Sequence, residues 1–199
     1  PDRFSPFCNI DPRAMTNSCD APLDRLLRYY KDKGCKGVGE IMPNLSIGDP
    51  LVQNLFKHAE AVGLPVTCDG SDRIGGDFGL YDEPGLTLFE HSLQRFPKLD
   101  FIGHGPTIWA EIAPLETPAR RKTTFTPDGE QVGWIPPRTP VTQEGVLQKL
   151  LRQYGNFYGE LSDAFIALDR DHDYGPKFLT EFQDRLFFGT DFCCVGMTF

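Results

Sequence analysis

Six short β-like runs alternate with amphipathic stretches along this chain of 199 residues. Their spacing, about 30 residues, is the rhythm of βαβ units and of a parallel sheet wrapped by helices. The runs are Phe4 to Ile10, Lys36 to Met42, Leu64 to Asp69, Leu99 to His104, Asn156 to Leu161 and Arg185 to Asp191. No internal repeat of strands without helices interrupts this order, so the fold class is α/β.

The intervening helices carry their own punctuation. Asp20 is positioned to cap the first, Leu23, Leu26, Leu27 and Tyr30 share one apolar face, and Gly34 stops it. Asp49 caps the second with Pro50 in its first turn, and Gly63 ends it. The third follows Pro84, with Leu86, Phe89, Leu93 and Phe96 on its apolar side. The fourth carries Val146, Leu147, Leu150 and Leu151, and the fifth starts near Pro176 and buries Phe178, Leu179 and Phe182. Residues 1–199 read as one domain, with an excursion at 113–140 that is rich in Pro, Thr and charge and has no clear periodicity. An excursion that long is either an active-site cover or a surface loop.

Chemistry collects at the carboxyl ends of the runs, where the active site of an α/β barrel lies. The ends supply Asn9 and Asp11, then Glu40, Asp69, His104, Glu160 with Ser162, and Asp191. One such residue would be read as a helix cap; a succession of them delivers carboxylate and imidazole to one side of one sheet. His104 closes Leu99-Asp100-Phe101-Ile102-Gly103-His104, and a neutral imidazole there binds a divalent metal or a substrate oxygen. Asp191 closes Leu186-Phe187-Phe188-Gly189-Thr190-Asp191, and a carboxylate there ligates metal or acts as a general base on water. Asp69 and Glu40 are further candidate ligands, and Trp109 and Ser162 candidate substrate contacts, Trp109 having a packed aromatic as its plainer reading. His58 and His91 fall on helices, and His172 in the charged loop Asp169 to Asp173 reads as solvated.

Composition narrows the partners. The net charge is -8 and the Lys and Arg residues form no basic stripe, which argues against nucleic acid. No run of about 18 apolar residues marks a membrane span, and no signal-peptide pattern opens the chain, which starts at Pro1. The six cysteines lack a CxxC pair, so reduced thiols and a cytoplasmic setting are expected, with the adjacent Cys193 and Cys194 read as small apolar residues in a turn. Gly75-Gly76 is a loop, and neither a dinucleotide nor a P-loop motif is present.

At these residues the chain resembles the amidohydrolase superfamily, in its broad amidohydrolase 2 branch of metal-dependent hydrolases and decarboxylases. The stretches that carry the likeness are Phe4 to Pro12, Gly37-Val38-Gly39-Glu40-Ile41 with Met42-Pro43-Asn44, Gly63 to Thr67, Phe101 to Pro106, Asn156 to Ser162 and Leu186 to Asp191, in that order. The resemblance implies a (β/α)8 TIM-barrel-like fold, incomplete here, running roughly from strands 3 to 8. It implies one or two divalent metals, zinc above all. His104 corresponds to the histidine on the family's sixth strand, and Asp191 to the aspartate on its eighth, which takes a proton from metal-activated water in hydrolytic members. Two departures stand out. The family's His-x-His pair is absent, and Asp69 occupies the place of its fifth-strand histidine. The expectation is a metal-dependent hydrolase acting on a small molecule. The alternatives are a decarboxylase of small unsaturated or aromatic acids, and a non-catalytic barrel remnant. Such a complete barrel needs about 250 residues, with roughly 200 as the floor. Open sheet edges at both breaks lead to the expectation of a homo-oligomer, or of barrel strands supplied by another segment.

Overall fold

The structure, a computed structural model, describes residues 5–75, 79–115, 123–125, 131–134, 139–162 and 164–191, with backbone alone at 123–125, 131–134 and 166. Phe4, Gly76, Cys193, Cys194 and most of the 113–140 excursion lie outside the described residues.

Each expected run overlaps a strand. They are β1 (Phe7–Cys8), β2 (Gly37–Ile41), β4 (Val66–Ser71), β6 (Phe101–His104), β9 (Phe157–Glu160) and β10 (Leu186–Phe187). β4 continues past Asp69 to Ser71, so Asp69 lies within its strand and not at its end. All pair in parallel, in the order β1-β2-β4-β6-β9-β10, and the sheet curls into a half-barrel. Two short strands lacking apolar alternation escaped the sequence reading: β3 (Leu45–Ser46) pairs with β5 (Leu80–Tyr81), which pairs with the end of β4. Within the excursion the described residues include an antiparallel pair, β7 (Thr123–Phe125) with β8 (Gln131–Trp134). That segment is therefore not without secondary structure.

The helices are α1 (Asp24–Asp32), α2 (Pro50–Val62), α3 (Thr87–Arg95), α4 (Pro106–Trp109), α5 (Val146–Gln153), α6 (Ala164–Leu168) and α7 (Tyr174–Phe182). Asp49 caps α2 as expected, its carboxylate accepting from Leu51 N at 2.8 Å, and Gly63 closes the helix in the left-handed conformation. Asp20 does not cap α1. The helix starts later, at Asp24, and the N-cap position falls on Leu23, which has no side-chain cap and is instead packed into the core. Leu179 is a second correction: it is 40% exposed, while Phe178 and Phe182 are buried.

Strand alternation divides the sheet into two chemistries. On one face Val66, Cys68, Phe101 and Phe157 are fully buried. There Phe101 meets Phe56 of α2 and Phe89 of α3 edge to face at 5.1 and 5.7 Å, and Phe89 meets Phe157 at 5.0 Å. Asn156 ties this layer to the α3 exit, donating from one amide to the carbonyls of Leu93, Phe96 and Leu99. The opposite face carries Thr67, Asp69, His104 and Glu160, with Asp69 in register with His104. The polar set of the sheet therefore stands on a floor of interlocked phenyl rings.

Candidate metal centre

Glu40, His104 and Asp191 each offer a ligand atom, and the three atoms lie within 4.8 Å of one another. His104 Nε2 is 3.4 Å from Glu40 Oε1 and 4.0 Å from Asp191 Oδ1. Ligands bonded at about 2.0–2.1 Å with tetrahedral angles stand about 3.3 Å apart, so the spacing suits one zinc-sized cation after a small contraction. Two carboxylates and an imidazole are also a donor set that zinc, iron and manganese accept.

Local backbone explains how each group arrives. Val38 pairs with Val66 but Ile41 pairs with Cys68, so β2 carries one more residue than its partner over that interval. The bulge keeps Val38 and Ile41 on the helix side and turns Glu40 to the opposite face. Strict alternation from Val38 would have sent Glu40 among the helices. His104 ends β6, and the chain leaves at Gly105 with φ 90°, a conformation suited to glycine. A Cβ at Gly105 would collide with Asp69 Oδ1. Asp191 follows β10 at φ 49°, a left-handed position that aspartate tolerates better than most residues.

His104 is held from behind. Its Nδ1 lies 2.7 Å from Glu160 Oε2, and Ser162 fixes that carboxylate twice, donating from Oγ to Oε2 at 2.5 Å and from its backbone N to Oε1 at 3.1 Å. A proton on Nδ1 directed at Glu160 leaves Nε2 to face Glu40 and Asp191. Burial alone would lower the His104 pKa. The Glu160 hydrogen bond and the negative charges of Glu40, Asp69 and Glu160 outweigh it, and the pKa is pushed up to about 9. Burial raises the Glu40 carboxyl; the His104 charge opposes that, and Asp191 and Glu160 add to it. Glu160 goes the other way, since the hydrogen bonds from His104 and Ser162 overcome its burial. In the metal-free chain the protonated imidazole offsets these carboxylates, a role that a divalent ion at Nε2 would take over.

The residues singled out from sequence separate into two groups. Glu40, His104 and Asp191 come together, lining with Phe7, Thr67, Glu160, Gly189 and Thr190 a cavity of about 320 Å³. Ser162 reaches the group through Glu160. Asp69 does not join the three: it is 2% exposed and packs against the Gly105 turn, acting on His104 through its charge. Trp109 is fully buried, edge-on to Phe178 at 5.9 Å, and its Nε1 donates to the Glu160 carbonyl at 2.9 Å. It steadies the β9 end from the helix side and is not among the residues lining that cavity. Asn9 donates to the Glu40 carbonyl at 2.9 Å, and Asp11 is paired with Arg13. His58 sits beside Asp24 at 3.6 Å and His172 beside Asp169 at 3.9 Å, both away from the centre. Glu160 is the residue to which the sequence reading assigned no role. Its signal was parity: in a parallel ladder that pairs Gly103 with Gly159, the next residues, His104 and Glu160, share a face.

The described cysteines, Cys8, Cys19, Cys35 and Cys68, are free thiols. Among the described residues no helix is long and apolar enough to cross a membrane. No family model matches the chain, and neither a curated protein nor a solved structure does.

Proposed function

We propose that the half-barrel is part of a (β/α)8 barrel of the amidohydrolase type, and that the chain is a metal-dependent hydrolase of a small molecule. The observation that supports this reading is the convergence of Glu40, His104 and Asp191 within 4.8 Å at strand ends of a curled parallel sheet. These three residues would hold a divalent cation, zinc by preference. A bound cation would supply Lewis acidity, polarising a carbonyl and making water a stronger acid.

The chain's own residues do the rest. Glu160 fixes the ring of His104, so Nε2 is presented without rotamer search. Asp191, with a side chain 37% exposed beside the cavity, is the base that receives the proton of the attacking water. Glu40, partly buried and with a raised pKa, completes the anionic set. Among the described residues β1 and β10 each pair on one side only, and we propose that a second copy or another segment covers those edges.

Elemental analysis of the purified chain, beside His104→Ala, tests the reading. About one zinc or manganese per chain, lost in the variant, is the expected result. Absence of metal after reconstitution would sink it. Substrate panels then separate the chemistry: incorporation of oxygen from labelled water is expected, and carbon dioxide release would move the assignment to a decarboxylase. Sedimentation giving a stable compact monomer would refute the edge pairing.

A further inference from the structure

Beside the candidate metal centre lies a larger cavity of about 730 Å³, walled by Leu161, Phe165, Leu168, Pro176, Leu179 and Phe188. Its size falls in the range of small-molecule sites, roughly 300–1,000 Å³. Its aromatic walls are unusually open to solvent, Phe165 at 64% and Phe188 at 86%. Its polar groups lie mainly in the loop between α6 and α7. Asp171 accepts from the backbone N of Val141 and of Tyr174, each at 2.9 Å, and His172 stands 3.9 Å from Asp169. The groove therefore offers a ligand mainly apolar surface, on the walls of α6 and α7.

A charged head has a place next door. Gly189 and Thr190 line both this groove and the cavity of Glu40, His104 and Asp191, and Ser162, in the groove wall, bonds Glu160. The Glu160 carboxylate packs directly on Gly189, where a Cβ would collide with it, so the wall shared by the two cavities is thin. We infer that the groove between α6 and α7 binds the apolar arm, aryl or medium-length alkyl, of an acyl compound whose carbonyl or carboxylate head lies at the candidate metal centre. The inference rests on the metal-centre reading for the head and on the groove alone for the arm.

Calorimetric titration of the full chain, zinc-loaded and zinc-free, with acetate, 4-phenylbutyrate and the neutral 4-phenylbutanol tests it. Zinc-loaded protein is expected to bind 4-phenylbutyrate about tenfold or more tightly than acetate, the worth of burying a phenyl-sized surface. Leu179→Asp and, as a second variant on another helix, Phe165→Ser should each erase most of that advantage and leave acetate binding unchanged. Equal binding of the two acids, or an advantage that survives both variants, would overturn the proposal. Should zinc fail to bind, the metal-centre reading falls by itself, and 4-phenylbutanol still decides the groove: binding weakened in both variants supports it, and no binding overturns it. A dimer that Leu179→Asp dissolves would assign the groove to a second copy and overturn the small-molecule occupant.

Discussion

Phe101 in β6 and Phe188 just after β10 are the same residue type, yet the first is fully buried and the second is 86% exposed. Around Phe101, α2 and α3 lay Phe56 and Phe89 edge-on against the strand. Around Phe188, and around Phe187 at 48%, no described helix covers the ring in the same way. The comparison teaches that apolar content alone does not place a side chain in a core; in a parallel sheet the helices packed on that face do. The metal centre sits between the two regions. His104 stands on the strand of Phe101, and Asp191 on the segment that follows Phe188, so one ligand is rigidly founded and the other lies at the open edge.

The largest expected effect breaks the founded side. Phe101→Ala should cost about 3–5 kcal/mol in chemical denaturation, because the rings of Phe56 and Phe89 cannot collapse into the space left. Next is a pH effect at the boundary. The His104 pKa is about 9 in the folded chain against about 6.5 unfolded. A raised folded pKa contributes stability that is complete below about pH 6.5 and is lost as pH climbs through about 9. For metal-free protein that loss should approach 3 kcal/mol, roughly the shift converted at 1.4 kcal/mol per unit, with Glu40, Glu160, Asp69 and Asp191 as the facing charges. His104→Gln should flatten that part of the stability profile, and an unchanged slope would refute the assignment. Glu160→Gln comes third: zinc affinity, read by competition with a chelator, should fall about tenfold to a hundredfold. The smallest change sharpens the contrast with Phe101, since Phe188→Ser should stay within about 0.5 kcal/mol of the parent stability. A loss like that of Phe101→Ala would mean that the edge is covered after all.

Much of the frame was legible because two periodicities agree. Runs such as Leu99 to His104 and stripes such as Leu51, Leu55, Ala59 and Val62 mark strand and helix without ambiguity. The strand-end rule then reached Glu40, His104 and Asp191. It failed to separate them from Asp69, since packing against Gly105 is decided by where the next turn runs. The two-residue strands β3 and β5 are too short to show a period, and α6 is a single turn and a half that propensity cannot distinguish from loop. Asp20 looked like a cap because caps are read from residue type, whereas the start of α1 is set by the burial of Leu23 and Leu27. The paired roles of Glu160 and Ser162 needed the register of β6 against β9, a long-range quantity that no local window contains.

Gly189 carries a consequence for how such a chain tolerates change. Its φ is not in the left-handed region, and what forbids a larger residue is the Glu160 carboxylate lying where a Cβ would stand. A substitution there displaces the Glu160 carboxylate from its place against His104. In a saturation scan the position should therefore score as strictly as the ligands themselves, although it contributes no functional group. Its information lies in space that Glu160 occupies, and a survey that ranks residues by reactive chemistry would pass it over.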